Sequence, residues 1–354
     1  MGRLSDTFSA CLMRVTRDRK NNVTARTFNR DNCRTVIVKP PIKHLPVAPG
    51  HKTLRWRCIV VLSCTLLAGA CSGPLVVGKV YNSAAKQSAK QMKGLANFSK
   101  PQERTIDQRF AQYHSWHRQQ QLPLYSKLLT GIANHIDSEQ AVTSAITASW
   151  MQQINDFSTE LRYCSPLNSS AEFLSKLSDS QVASIALATQ KTHTVQVQKF
   201  NQENKQSRTQ NRQKAISTWA GRAGLKLNKK QKQLLGKTLD QQISLGSQRY
   251  YLHQQWIAKF NQLLENRNST NGDFAPTMNA HIHSLWTLTQ DNYPSEWQQS
   301  ATLWQNFLTE FLQLQTTRQN NALIKKARKF AATLDSLSKQ TKNVASPKCF
   351  SPLR

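Results

Sequence analysis

VTSAITASWMQQINDFSTEL, residues 142–161, decides the fold class. Its large apolar residues, Val142, Ile146, Trp150, Ile154, Phe157 and Leu161, recur every three or four positions. That spacing draws one stripe along a helix of 3.6 residues per turn, whereas a half-buried strand alternates every second residue. Working outward, the same period returns on both sides. Upstream, Leu124, Leu128, Leu129, Ile132 and Ile136 share a face over 124–136, after a helix expected over 100–121 that stops before Leu122-Pro123. Downstream, Trp297, Ala301, Trp304, Phe307, Leu308 and Phe311 form another stripe behind Tyr293-Pro294.

Between these stripes the pattern predicts a helix over 138–162 and a brief one after Cys164-Ser165-Pro166. A long helix follows from about Ser180 to a cap at Gly224, then another from Asn228 to about 266. A loop is expected over 266–276, a helix to about 290, and a last helix over about 319–339. Helix starts are marked by an Asp, Asn or Ser followed three residues later by Gln. That pairing lets both side chains satisfy otherwise unpaired backbone N–H groups. It occurs at Ser99/Gln102, Asp137/Gln140, Ser178/Gln181, Asn228/Gln231 and Ser295/Gln298. Only 12 Gly and 12 Pro punctuate 354 residues, which disfavours a sandwich or barrel. The expected fold is all-α, a multi-helix antiparallel bundle joined by short connections.

CIVVLSCTLLAGA, 58–70, has no charged residue and is too short for the roughly 20 residues of a membrane-spanning helix. It has the length of a secretory apolar segment, with Lys52, Arg55 and Arg57 before it and Ala68-Gly69-Ala70 at its end. Residues 1–57 carry thirteen Lys/Arg and three Asp/Glu, a leader far longer than the usual basic stretch before such a segment. The expected organisation is a basic leader over 1–57, with translation starting nearer Val47 or Leu54 and a genuine long basic leader as the alternative, and a signal segment over 58–70. A tether over 71–98, a helical domain over 99–340 and a loose tail over 341–354 complete it.

Leu67-Ala68-Gly69-Ala70-Cys71 resembles the lipobox of bacterial lipoproteins. The resemblance implies diacylglycerol on the Cys71 sulfur, cleavage before it and N-acylation, an anchor far stronger than one acyl chain. Ser72 in place of Asp implies an outer-membrane address, with the body in the periplasm. Four further motifs occur in order along the body. They are Tyr81-Asn82, Trp116-His117-Arg118 with Leu122-Pro123-Tyr125, Leu177-Ser178-Gln181, and Leu227 with Gln231. Their order resembles the lipoproteins of the domain of unknown function 6279 family, which implies a class and an address but no activity.

The net charge of +29 would by itself point to nucleic acid. An envelope location removes that partner. The expected partners are outer-membrane lipid through acylated Cys71, and anionic envelope lipids or an envelope protein. Residues 204–239 hold ten Lys/Arg and no Asp or Glu, with Arg208, Arg212, Lys226, Lys229, Lys230 and Lys232 the candidates for contacting an anionic surface. Lys325, Lys326, Arg328 and Lys329 form a second cluster.

Tyr113, His114, Trp116, His117, Arg118 and Tyr125 form the densest aromatic and polar group and the candidate ligand site, with a packing corner at a helix end as its alternative. His114 and Arg118 lie four apart and share a helix face. His281 and His283 face different ways on a helix, and no spacing of His, Cys or carboxylates proposes a metal, a cofactor or a catalytic group. Cys164 and Cys349, the cysteines that follow Cys71, are candidates for a disulfide in an oxidising compartment. The expected function is a non-enzymatic envelope interaction or maintenance protein. Its alternatives are a helical chaperone, because the Leu-x-x-x-Gln starts resemble the L-T-x-x-Q repeats of periplasmic stress chaperones, and an enzyme acting on envelope polymers.

Overall fold

The computed structural model describes residues 14–17, 23–26, 74–222, 224–269, 273–340 and Cys349. The lipobox, the apolar run before it and the tail apart from Cys349 lie outside the described residues. The chain forms two compact units, Met1–Lys52 and Thr53–Arg354.

In the first unit, β1 (Arg14–Arg17) pairs antiparallel with β2 (Val23–Arg26), Arg14 opposite Arg26. Val15, Thr16, Val23 and Thr24 are β-branched and favour the extended backbone.

The second unit is all-α among its described residues. Its helices are α1 (Pro74–Lys93), α2 (Lys100–Trp116), α3 (Leu122–Asp137), α4 (Ser144–Tyr163), α5 (Ala171–Ser175), α6 (Asp179–Gln202) and α7 (Lys205–Arg222). After them come α8 (Lys229–Gln241), α9 (Gly246–Glu265), α10 (Phe274–Ser284), α11 (Leu288–Asn292), α12 (Pro294–Gln313) and α13 (Thr317–Ser338). A π-helical turn, His117–Gln121, joins α2 to α3.

Residues 74–93 of the expected tether over 71–98 are helical instead. They form α1, which buries Val77, Tyr81 and Ala89 at positions that share one face. The break expected at Leu122-Pro123 is likewise absent. Pro123 lacks an N–H and stands in the first turn of α3, where its fixed φ is tolerated. The preceding turn instead loosens to the wider register, Leu122 N–H donating to the His117 carbonyl.

α4 starts at Ser144 rather than 138, because Asp137 still ends α3 and Glu139 takes a left-handed φ of 56°. The Thr143 hydroxyl then accepts from the Ile146 N–H. Two expected long helices are each split in two. The chain breaks after Gln202, where Asn204 Oδ1 accepts from Ser207 N–H, and again between Gln241 and Gly246. Gly224, with φ 85°, ends α7 as expected, and the Leu225 N–H reaches back to the Ala220 carbonyl at 2.8 Å.

α3 and α13 run antiparallel, and several pairs join distant parts of the chain. Leu122 on α3 packs with Leu334 and Leu337 of α13, while Ala133 and Ile136 pack with Ile324 and Ala327. Thr147 of α4 and Thr309 of α12 share a buried hydroxyl bond of 2.6 Å. The largest apolar cluster lies elsewhere, where Ile106, Leu174, Val182, Trp256, Leu264 and Met278 join α2, α5, α6, α9 and α10. A third cluster, Leu225, Leu227, Leu235, Leu239 and Phe311, holds α8 against α12.

The capping boxes at Ser99/Gln102, Ser178/Gln181 and Asn228/Gln231 form as expected, and Thr316/Gln319 adds another at α13. Ser295/Gln298 and Asp137/Gln140 do not, since Tyr293 and Thr143 stand at the cap positions of α12 and α4. The formed boxes meet in pairs. Gln102 and Gln181 bond each other between α2 and α6, and Gln319 donates to Gln231 between α13 and α8 at 2.9 Å.

Candidate functional site

The candidate group gathers at the π turn. α1 contributes Tyr81 and Asn82, α2 ends with His114, the turn supplies His117, Arg118 and Gln121, and α3 adds Tyr125. Tyr81 and Asn82, quoted above only as a family motif, are central members. The Tyr81 ring lies 4.4 Å from His114 and 5.7 Å from His117, centre to centre.

Burial determines the protonation of this group. The Tyr81 phenol is pushed well above the usual range by desolvation, so it stays protonated and donates to His117 Nδ1 at 2.8 Å. His117 is fully buried, and desolvation first, then His114 and Arg118, lowers its pKa to about 3. His114 falls to about 4 for the same leading reason, with Arg118 adding to it and the Tyr81 carbonyl opposing it. Both rings are neutral at pH 7. A carbonyl can only accept, so His114 carries its proton on Nε2 and donates it to the Tyr81 carbonyl at 2.9 Å. His117, accepting at Nδ1, carries its proton on Nε2.

Arg118 is a buried cation held by neutral groups. Its guanidinium donates to Asn82 Oδ1 and, at 3.3 Å, to the Leu337 carbonyl of α13, and lies 5.0 Å from the Tyr81 ring centre. His114 and Arg118 thus turn one shared face toward α1. Three further atoms, His117 Nε2, Gln121 Oε1 and the Tyr125 hydroxyl, are buried without a hydrogen-bond partner. They combine a donor, an acceptor and a group that can be either.

Tyr113 and Trp116 take the other side of the same turn. They stack on each other with ring centres 5.5 Å apart, and the Tyr113 hydroxyl donates to the Leu161 carbonyl at 3.1 Å. Against them lies a disulfide between Cys164, at the end of α4, and Cys349. It closes a loop across 185 positions and brings one residue of the tail onto Trp116.

The site holds no carboxylate among its described members, and no described residues form a group of three metal-ligating side chains. His281 does not join His283. It stacks on Trp256 at 4.8 Å, and each side chain donates to the other residue's backbone carbonyl. Burial lowers the pKa of His281, as it does that of His253, which lines a cleft of about 20 Å³ with His193 and Trp256. That volume admits a water molecule rather than a substrate.

The basic residues divide. Arg208 caps α6 through the Phe200 and Glu203 carbonyls, with the Phe200 ring 4.4 Å from its guanidinium. Arg212 lies over Trp304 and bonds Gln242. Lys226, Lys229, Lys230 and Lys232 are exposed. The Lys326 side chain passes 3.3 Å from the position a Gly224 Cβ would take, whereas Arg328 of the same cluster pairs with Asp137 at 2.7 Å.

The protein is thus an all-α domain with a closed polar knot where α1, α2, α3 and α13 meet. A family model matches residues 95–294, more than half of the chain, and the protein belongs to that family, a family of unknown function (DUF6279). The matched segment includes the Trp116-His117-Arg118, Leu177-Ser178-Gln181 and Leu227/Gln231 motifs. No curated protein and no solved structure matches the chain.

Proposed function

We propose that the protein is a lipid-anchored, non-enzymatic envelope protein whose helical body acts as a scaffold at the periplasmic face of the outer membrane. The observation that carries this reading is the lipobox ending at Cys71, three residues before α1 begins at Pro74. Three residues span at most about 10 Å, so acylation of Cys71 holds the body against the bilayer. The chemistry of the polar knot supports a structural role. An acid–base catalyst works best with a pKa near the operating pH, and both histidines are far below it.

The chaperone reading calls for apolar side chains on the basic surface. Of the exposed large apolar residues, Trp219 alone falls within 204–239, so that reading ranks second. The test is Cys71→Ala in cells: the account expects acyl labelling and membrane attachment to be lost, and retention of both overturns it.

A further inference from the structure

The two clasped pairs of helix starts differ in charge. At the first, Glu103 and Asp179 occupy the opening turns of α2 and α6 and offset the partial positive charge of the helix N-termini. At the second, the opening turns of α8 and α13 contain no acid. Lys229 and Lys230 stand there instead, with Lys226 just before and Lys232 just after, all four exposed. No carboxylate pairs with any of these four among the described residues. The close approach of Gly224 and Lys326 adds one residue of the α13 cluster to the same surface, while Arg328 of that cluster turns to α3 and pairs with Asp137 at 2.7 Å. Like charges held this densely repel one another, and an external anion relieves that repulsion.

We propose that this surface rests on an anionic lipid bilayer, with its lysines against headgroup phosphates. Trp219, exposed beside the Arg222 guanidinium at 4.7 Å, adds the aromatic and cationic pairing suited to a membrane interface. The position along α13 agrees. Its Leu337 side chain touches α1 at Gly78, near the anchor, and Gln319 marks the basic surface. These points are roughly 27 Å apart at 1.5 Å per residue. Both points thus fall within the length of α13. Only the nearness to the anchor rests on the lipoprotein reading.

The test uses the chain from residue 71 onward with Cys71→Ser, which lacks the leader, the signal segment and acylation, and vesicles of neutral phosphatidylcholine with and without 30% anionic phosphatidylglycerol. Binding to the anionic vesicles is expected to be about tenfold tighter or more. Lys229→Glu, Lys230→Glu and Lys232→Glu together should bring that ratio close to one. The same charge change at exposed Lys86, Lys127 and Lys191 should leave most of it, with circular dichroism confirming that both variants fold. A ratio of one in the parent chain overturns the proposal. So does an equal loss in both triple variants, or equal binding to soluble polyphosphate at matched phosphate. Because Cys71 is not acylated in these chains, each result is independent of whether Cys71→Ala abolishes labelling in cells.

Discussion

Gln102 and Gln181, 79 positions apart, exchange side-chain amide hydrogen bonds of 3.2 and 2.8 Å while each also accepts from the cap residue of its own helix. Two helix starts are thereby locked side by side. Gln181 also donates to the Asn97 carbonyl, so its amide group is fully used in a largely buried place. Gln181→Leu leaves those partners unpaired and should cost about 1–3 kcal/mol in urea unfolding. Gln298→Leu, at an exposed position where the same sequence pattern forms no cap, should stay within about 0.5 kcal/mol. Equal losses would contradict this account of the clasp.

This contrast shows how far the sequence was legible. Helical spacing and three of the capping boxes could be read directly, because they depend on residues within one turn. Ser295/Gln298 misled because Pro294 already opens α12, and Thr316/Gln319 carried the same signal unread. The breaks at Glu203-Asn204 and over 242–245 contain no Gly or Pro to mark them. The site was half legible. His114 and Arg118 share a face by spacing alone, but their partners Tyr81, Asn82 and Leu337 arrive from 33 to 219 positions away, and only tertiary packing brings them.

The histidine pair makes stability depend on pH. His114 and His117 have folded pKa values of about 4 and 3, below the 6.5 of an ordinary histidine. The unfolded chain therefore binds more protons between those values. The contribution of each is fully present above about pH 6.5 and is lost as pH falls toward the folded pKa, at about 1.4 kcal/mol per pH unit. Urea midpoints from pH 7 to 4.5 should fall, and His114→Gln should flatten the slope by about one proton. An unchanged slope in that variant would contradict the assignment.

Cys349 is joined to Cys164 beneath Trp116, so reduction should both destabilise the fold and alter that indole. The loop-entropy treatment gives about 5 kcal/mol for a closure of this length. Melting with and without reductant should show a clear drop, with a change in tryptophan fluorescence that Cys349→Ser reproduces. Superimposable melts would exclude a stabilising bridge.

Glycine positions separate packing from propensity. A Cβ on Gly246 would stand 2.4 Å from the Phe200 ring, which is itself held by Tyr250 and Arg208. Gly246→Ala should destabilise by about 1–3 kcal/mol through overpacking. Gly131 and Gly236, inside α3 and α8 with open space around them, should gain about 0.5–1 kcal/mol as Ala. Thermal melts of the three variants test the opposite signs.

Membrane attachment through acylated Cys71 is proposed from the lipobox, and intact-mass measurement of the chain purified from cell membranes tests it. The account predicts a mature N-terminus at Cys71 carrying a diacylglycerol and an amide-linked acyl chain. A membrane-derived chain that begins upstream of Cys71, or carries an unmodified cysteine there, would contradict it.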